Sequence, residues 1–188
     1  MLERLAGCEL LLGIDRNPDC LSSARIRLQG KAGVDLREVD VLSPGFNSLA
    51  VNNPDTVLFV NTLENISDDL LALRQAGTVL GKGGKLVILA SAIPFLSGEL
   101  DRAHAQRRYT RASLTGLMES AGFRVESARY MNFLGLFGWW FDSRFQGKRE
   151  MSASAYRNRD RMVPLARAFD ALTGPPIGST LLAVGIRE

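Results

Sequence analysis

Leu10-Leu11-Leu12-Gly13-Ile14-Asp15 is a short apolar run that ends in a carboxylate, and Arg16-Asn17-Pro18-Asp19 leads from it into a helical pattern. Continuous rather than alternating apolar residues are what a strand covered on both faces requires, as in a parallel sheet. In nucleotide-binding α/β folds, an acid at the carboxyl end of such a strand accepts hydrogen bonds from ribose hydroxyls. A glycine-rich strand–turn–helix ordinarily precedes that acid by about 20 residues. None precedes it in this sequence, where only nine residues stand before Leu10.

Working outward, Asn17 has the side chain of a helix N-cap, and Pro18 suits a first helical turn because its missing N–H has no partner there anyway. Leu21, Ala24 and Leu28 recur at helical spacing and Gly30 closes the element. Val34–Val39 predicts a strand with partial alternation, ending at Asp40-Val41. Leu42 to Pro54, rich in Ser, Pro, Gly and Asn, predicts a loop with room for one turn of helix. Thr56–Val60 repeats the buried-strand pattern and runs into Asn61-Thr62-Leu63-Glu64-Asn65-Ile66. Ser67 is the expected cap of the next helix, with Asp68 and Asp69 in its first turn, where the helix dipole favours negative charge. Gly81-Lys82-Gly83-Gly84 ends that helix in a turn, and Lys85–Ala90 is a third apolar strand. Strand, helix and strand joined by short turns is the βαβ pattern of a parallel sheet.

Further out, Met1 to Gly7 reads as the last turns of a helix, and Ile93 to Arg108 as an irregular polar loop. Thr110 caps a helix with Leu114, Leu117, Met118 and Ala121 on one face, ended by Gly122. Phe123–Tyr130 breaks the buried pattern and is expected near a sheet edge. Phe133–Phe141 is dense in aromatics, Pro164 interrupts a helical region that starts near Ser152, and Ser179–Ile186 is a closing strand. The expected organisation is a single domain over residues 1–188: a core at 1–131, a variable aromatic and helical insertion at 132–175, and a final strand at 176–188.

Composition sets broad limits. Hydrophobic residues at 46% and charged residues at 23% are ordinary for a globular chain of this length. Cys8 and Cys20 have no metal-ligand spacing, so no metal site is expected, and two cysteines are too few for a disulfide framework; reduced thiols in a cytoplasmic protein are the expectation. No apolar run reaches the ~18 residues that a membrane span needs, and Met1-Leu2-Glu3-Arg4 lacks the plan of a secretory signal. Residues 1–100 carry 9 Lys/Arg against 12 Asp/Glu, and residues 101–188 carry 14 against 8. The basic second half is compatible with an anionic substrate, a membrane surface or a solvated face. It contains no recognisable nucleic-acid-binding module, and nucleic acid is not expected as a partner.

The motifs LLLGIDRNPDCLSSARIRL, REVDVL, DTVLFVNTLENISDD, LGKGGKLVILAS and RRYTRASLTGLMESAGFRVE, followed by a closing apolar strand, resemble in their order the class I S-adenosylmethionine-dependent methyltransferases. The likeness is good over residues 5–131 and looser at the last strand. It implies an α/β, Rossmann-like methyltransferase fold: a mostly parallel sheet in the order 3-2-1-4-5-7-6 with an antiparallel last strand, and the cofactor across the carboxyl ends of the strands. The departure is the glycine-rich first motif, which is absent. The chain therefore reads as starting inside the first helix, with the central first strand missing and the sheet either split or paired in a way foreign to the family.

The resemblance places S-adenosyl-L-methionine against specific residues. Asp15 would accept from both ribose hydroxyls and Arg16 would pack beside the adenine. Asp40 and Val41 would meet the adenine amino group and ring face. Asn61, Thr62 and Leu63 would lie beside the methionine moiety and the transferring methyl. The sole histidine, His104, is a candidate general base. Arg107, Arg108 and Tyr109 are candidates for substrate binding, the arginines as clamps on a carboxylate or phosphate. Residues 133–149, with Trp139 and Trp140 followed by Arg144, Lys148 and Arg149, suggest a wall for a lipid-like acceptor, a peripheral membrane contact, or a homodimer surface. The competing reading is a cofactor-free, methyltransferase-like domain without activity. A nicotinamide-dependent oxidoreductase, which also uses an acid after a strand, leaves Asn61–Asn65 and Arg108-Tyr109-Thr110 unexplained.

Overall fold

The computed structural model describes residues 8–92, 107–133, 170 and 174–188. Among them the chain runs β1 (Leu11–Asp15), α1 (Pro18–Arg27), β2 (Val34–Glu38), a 3-10 helix (Pro44–Asn52), β3 (Thr56–Val60), a 3-10 turn (Leu63–Asn65), α2 (Asp69–Val79), β4 (Lys85–Ser91), α3 (Arg111–Ser120), β5 (Phe123–Met131) and β6 (Thr180–Arg187). The fold is mixed α/β, with parallel pairs in the first half and an antiparallel last strand.

The helix boundaries follow from local chemistry. Asn17 accepts a hydrogen bond from Asp19 N at 2.9 Å and so caps α1, with Pro18 at the first helical position. The cap of α2 is Asp68, not Ser67, because the Asp68 carboxylate reaches Leu71 N at 2.8 Å. Thr110 and Ser113 close a reciprocal capping box on α3. Gly122 ends that helix at φ +89, a conformation in which a Cβ would be strained. Between β2 and β3 the expected loop is instead a 3-10 helix of nine residues, which buries Phe46 and Leu49. Its Ser, Gly and Asn content hid two core anchors.

The strands form two sheets. β1 and β2 make a parallel pair in register Leu11↔Val34 to Asp15↔Glu38. The other four lie in the order β3-β4-β6-β5, with β3 parallel to β4, and β6 antiparallel to both β4 and β5. β5 is an edge strand, as its polar alternation predicts. Among the described residues the two groups are β1-β2 and β3-β4-β6-β5, with no pairing between β1 and β3. Among the described residues each of these two strands pairs on one side only. Leu11 N bonds to Gly33 O and Val39 N to Asp15 O, so the odd-numbered residues of β1 face β2, and Leu12 and Ile14 turn their backbone groups the other way.

Two apolar clusters hold the sheets. The larger spans β3, β4, β6, α2 and α3, with Leu63, Leu73, Leu86, Ile88, Leu114 and Leu181 all fully buried. The smaller has three buried members, Phe46, Leu49 and Val79, against which Leu12 and Ile14 of β1 pack. Val41 and Val57 touch both clusters, so the two sheets lean on one continuous apolar seam.

Candidate functional site

In each parallel pair the carboxyl ends share an edge, and polar residues follow there. Asp15 closes β1. Its Oδ1 accepts from Asn17 N at 2.8 Å, which makes the turn into α1. Asp40 follows β2, and its Oδ1 accepts from Leu42 N at 2.8 Å. Each acid thus spends one oxygen on its own turn, and the other has no hydrogen bond among the described residues. Both are half-buried, Arg16 is exposed, and Val41 lies in the seam between the clusters. An uncommitted carboxylate oxygen at the end of a strand is what a ribose diol or an adenine amino group needs.

After β3 the chain turns through Asn61 at φ +48, a left-handed conformation that Asn tolerates better than most residues. Asn61 N donates to Leu89 O at 2.8 Å, continuing the pairing with β4, and Thr62 Oγ1 donates to Val60 O at 2.9 Å. Asn61 and Thr62 are exposed, while the Leu63 side chain is fully buried in the larger cluster. Leu63 can therefore offer a ligand only its backbone.

Arg107 and Tyr109, expected at the acceptor, are engaged in a network that the sequence does not announce. Arg107 Nη1 lies 2.8 Å from Asp69 Oδ2, and Nη2 donates to Ser67 O. Tyr109 OH donates to the same Asp69 oxygen at 2.9 Å. Tyr109 N donates to Ser91 O at 2.9 Å, and Tyr109 forms a parallel bridge with Ala92. Arg108 Nη1 donates to Ala92 O at 3.0 Å. The segment thus lies along the end of β4 and grips the first turn of α2. Burial, then the hydrogen bond to Asp69 and its charge, push the Tyr109 phenol well above the ordinary tyrosine range. Tyr109 is a fixed donor at neutral pH, not a base. The Arg107 side chain remains 41% exposed, so its outer edge still faces solvent.

Glu64 is the residue that sequence reasoning missed. It is the one buried charged residue among those described, 2% exposed. Its Oε1 accepts from Ser91 Oγ at 2.9 Å and from Ser91 N at 3.3 Å, while its backbone carbonyl accepts from Arg107 N at 3.1 Å. Its Oε2 is buried and has no partner among the described residues. The flanking Leu63 and Ile66, both turned toward the larger cluster, are the sequence signal that this acid lies inward.

His104 and residues 134–149, with the tryptophans and basic residues singled out above, lie outside the described residues, as do Met1 to Gly7. Among the described residues no group of three or more His, Cys, Asp or Glu stands together as a metal site. The residues that are described fit S-adenosylmethionine. Two half-satisfied acids follow β1 and β2, where the sequence leads one to expect the ribose and adenine, and among the described residues a buried carboxylate oxygen without a partner lies near the loop after β3.

Residues 1–88 match the family model described as a methyltransferase domain. Solved structures share the fold at low identity. One is a chain of the complex between the Haloferax volcanii Trm112 methyltransferase activator and a methyltransferase, at TM-score 0.64 and 17% identity over 98% of this chain and 75% of that one. Another is an S-adenosylmethionine-dependent methyltransferase from Mesorhizobium loti, at TM-score 0.60 and 13% identity over 96% of this chain and 82% of that one. A third is the N-methyltransferase NodS from Bradyrhizobium japonicum WM9 with S-adenosyl-L-homocysteine, at TM-score 0.58 and 16% identity over 99% and 71%. No curated protein sequence matches the chain.

Proposed function

We propose that the chain binds S-adenosyl-L-methionine and transfers its methyl group to a small-molecule or lipid-like acceptor, a reading supported by the match of residues 1–88 to the family model described as a methyltransferase domain. The observation that carries this reading is the pair of acids, Asp15 and Asp40, each following a strand of the same parallel pair and each with one carboxylate oxygen uncommitted.

When bound, the cofactor supplies a methyl group on a positively charged sulfur that is its own leaving group. The protein's work is then to hold donor and acceptor in line and to receive a proton if the acceptor carries one. Asp15 and Asp40 hold the nucleoside end, with Arg16 and Val41 beside the adenine. Asn61, Thr62 and the Leu63 backbone border the methyl. The left-handed turn at Asn61 directs this loop away from the strand axis. Arg107, Arg108 and Tyr109 border the acceptor: Tyr109 and Arg107 fix the segment on Asp69, and the exposed side of Arg107 is the part free to meet an anionic group. His104 is the proposed general base. A lipid-like acceptor is favoured by the aromatic and basic run at 133–149. No described helix is long and apolar enough to cross a membrane, so such contact is peripheral in this reading.

Isothermal titration with S-adenosyl-L-homocysteine tests the reading. Wild type is expected to bind with micromolar affinity and Asp15→Ala to bind at least about tenfold more weakly, the cost of roughly one charge-assisted hydrogen bond. Absence of binding to folded wild type would favour the cofactor-free domain instead.

A further inference from the structure

The amino ends of β3 and β4 border a cleft of about 500 Å³ that methyl transfer leaves without a use. One wall is Asn53 to Thr56, which leads into β3, and the other is Gly81 to Lys85, which leads into β4. β3 is five residues long, and at about 3.3 Å per residue it sets the cleft about 16 Å from the loop that starts at Asn61. The two ends of β3 therefore carry separate sites.

Backbone bonds shape the cleft before any ligand arrives. Lys85 N donates to Asp55 O at 2.8 Å and joins the two walls. Gly83 N donates to Arg187 O at 3.0 Å, and Arg187 N donates to Gly84 O at 2.9 Å, so the glycine turn is tied to β6. Asn53 turns at φ +45 and Gly83 at φ +83, which bends the chain on each side. A Cβ added at Gly83 would meet no heavy atom within 4 Å, so the backbone there is open to a ligand. The lining is cationic on balance, with Lys82 and Lys85 against Asp55. Among the described residues none of these three forms an ion pair. Asn53 adds an amide and Thr56 a hydroxyl, both able to donate. Two uncommitted ammonium groups, neutral donors and accessible glycine backbone in one preshaped cleft suit an anion with several acceptor oxygens. We propose that this cleft binds a phosphate group, as the free ion or as the ester of a small molecule, independently of S-adenosylmethionine. Asp55 is the lining group that opposes the anion, and on an ester it can accept from a hydroxyl.

Titration of the full chain with inorganic phosphate at constant ionic strength, followed by amide NMR, is the test. Saturable shifts are expected at Thr56, Lys82 and Gly83, with a millimolar dissociation constant. The double variant Lys82→Ala, Lys85→Ala should bind at least about tenfold more weakly, the loss of charge-assisted hydrogen bonds. Asp55→Asn should bind about threefold more tightly, because an opposing charge is gone. All three positions are exposed, and amide spectra unchanged away from the cleft verify that the variants are folded. Glycerol 3-phosphate, titrated in the same way, tells the two sources apart: tighter binding than phosphate assigns the ester, and equal or weaker binding assigns the free ion. Excess S-adenosylhomocysteine should leave the phosphate shifts in place, and their displacement would put the anion in the cofactor site and overturn the proposal. So would an affinity unchanged in the double lysine variant, with shifts spread over other basic residues such as Arg25 and Lys31. Absence of any saturable shift in wild type would overturn it with no variant needed.

Discussion

The two sheets are built on the same local grammar and differ in how much supports them. β1 is apolar up to its last residue, Asp15, yet all five of its residues are only half-buried, and the cluster beneath it has three buried members. β4 alternates between buried and half-buried positions and sits at the centre of the larger cluster, between β3 and β6. A strand with a partner on each side and helices packed on it gains burial from every direction, while a strand paired once gains about half as much. The acids proposed to hold the cofactor follow the strands of the less buried sheet, and the proposed acceptor side lies on the more buried one. The molecule therefore divides into a stable half that carries the network around Asp69 and Glu64, and a weaker half that carries Asp15 and Asp40.

That comparison can be broken most directly in the core. Leu86→Ala or Leu181→Ala, at fully buried sites of the four-stranded sheet, should cost about 2–5 kcal/mol in urea unfolding. Asp69→Asn removes the carboxylate shared by Arg107 and Tyr109 and is expected to cost about 1–3 kcal/mol. Leu12→Ala, at a half-buried site of the two-stranded sheet, should cost about 1 kcal/mol. A cost for Leu12→Ala equal to that for Leu86→Ala would erase the distinction between the halves.

A smaller effect sharpens the rigid half. The Tyr109 phenol is raised in the folded chain by burial and by Asp69. Its hydrogen bond contributes stability that is fully present below the unfolded tyrosine value of about 10 and is lost as pH rises through the higher folded value. In an absorbance-monitored alkaline titration, wild type should therefore show one late-ionising tyrosine that is absent from Tyr109→Phe. Ionisation of all tyrosines together near the ordinary value would contradict the network around Asp69.

The strands and the helix starts of this chain were legible because their signals are local. The run at Leu10–Asp15, the Asn17-Pro18 cap and the Thr110 cap each depend on neighbours in sequence, and the structure places all of them within a residue or so. What the sequence hid is non-local. The Pro44–Asn52 helix is held by burial of Phe46 and Leu49 against α2 and the first sheet, which no turn composition reveals. Asp68 rather than Ser67 caps α2, its carboxylate reaching Leu71 N, because two adjacent residues both suit a cap and the sequence does not choose between them. The strand ends that hold Asp15, Asp40 and Asn61 could be read from the order of motifs, but the engagement of Tyr109 could not, since its partner Asp69 is 40 residues away. Glu64 carries only a local hint, the apolar Leu63 and Ile66 near it, because its partner Ser91 is 27 residues away.

The central claim is that the acids at the ends of β1 and β2 hold a nucleoside. Titration of S-adenosylhomocysteine into wild type and Asp15→Ala, with melting temperatures measured on both, addresses it most directly. The account predicts wild-type binding, a loss of at least about tenfold in Asp15→Ala, and nearly equal melting temperatures, because Asp15 contributes one exposed turn hydrogen bond to the fold. Equal affinity in the two folded proteins would contradict it.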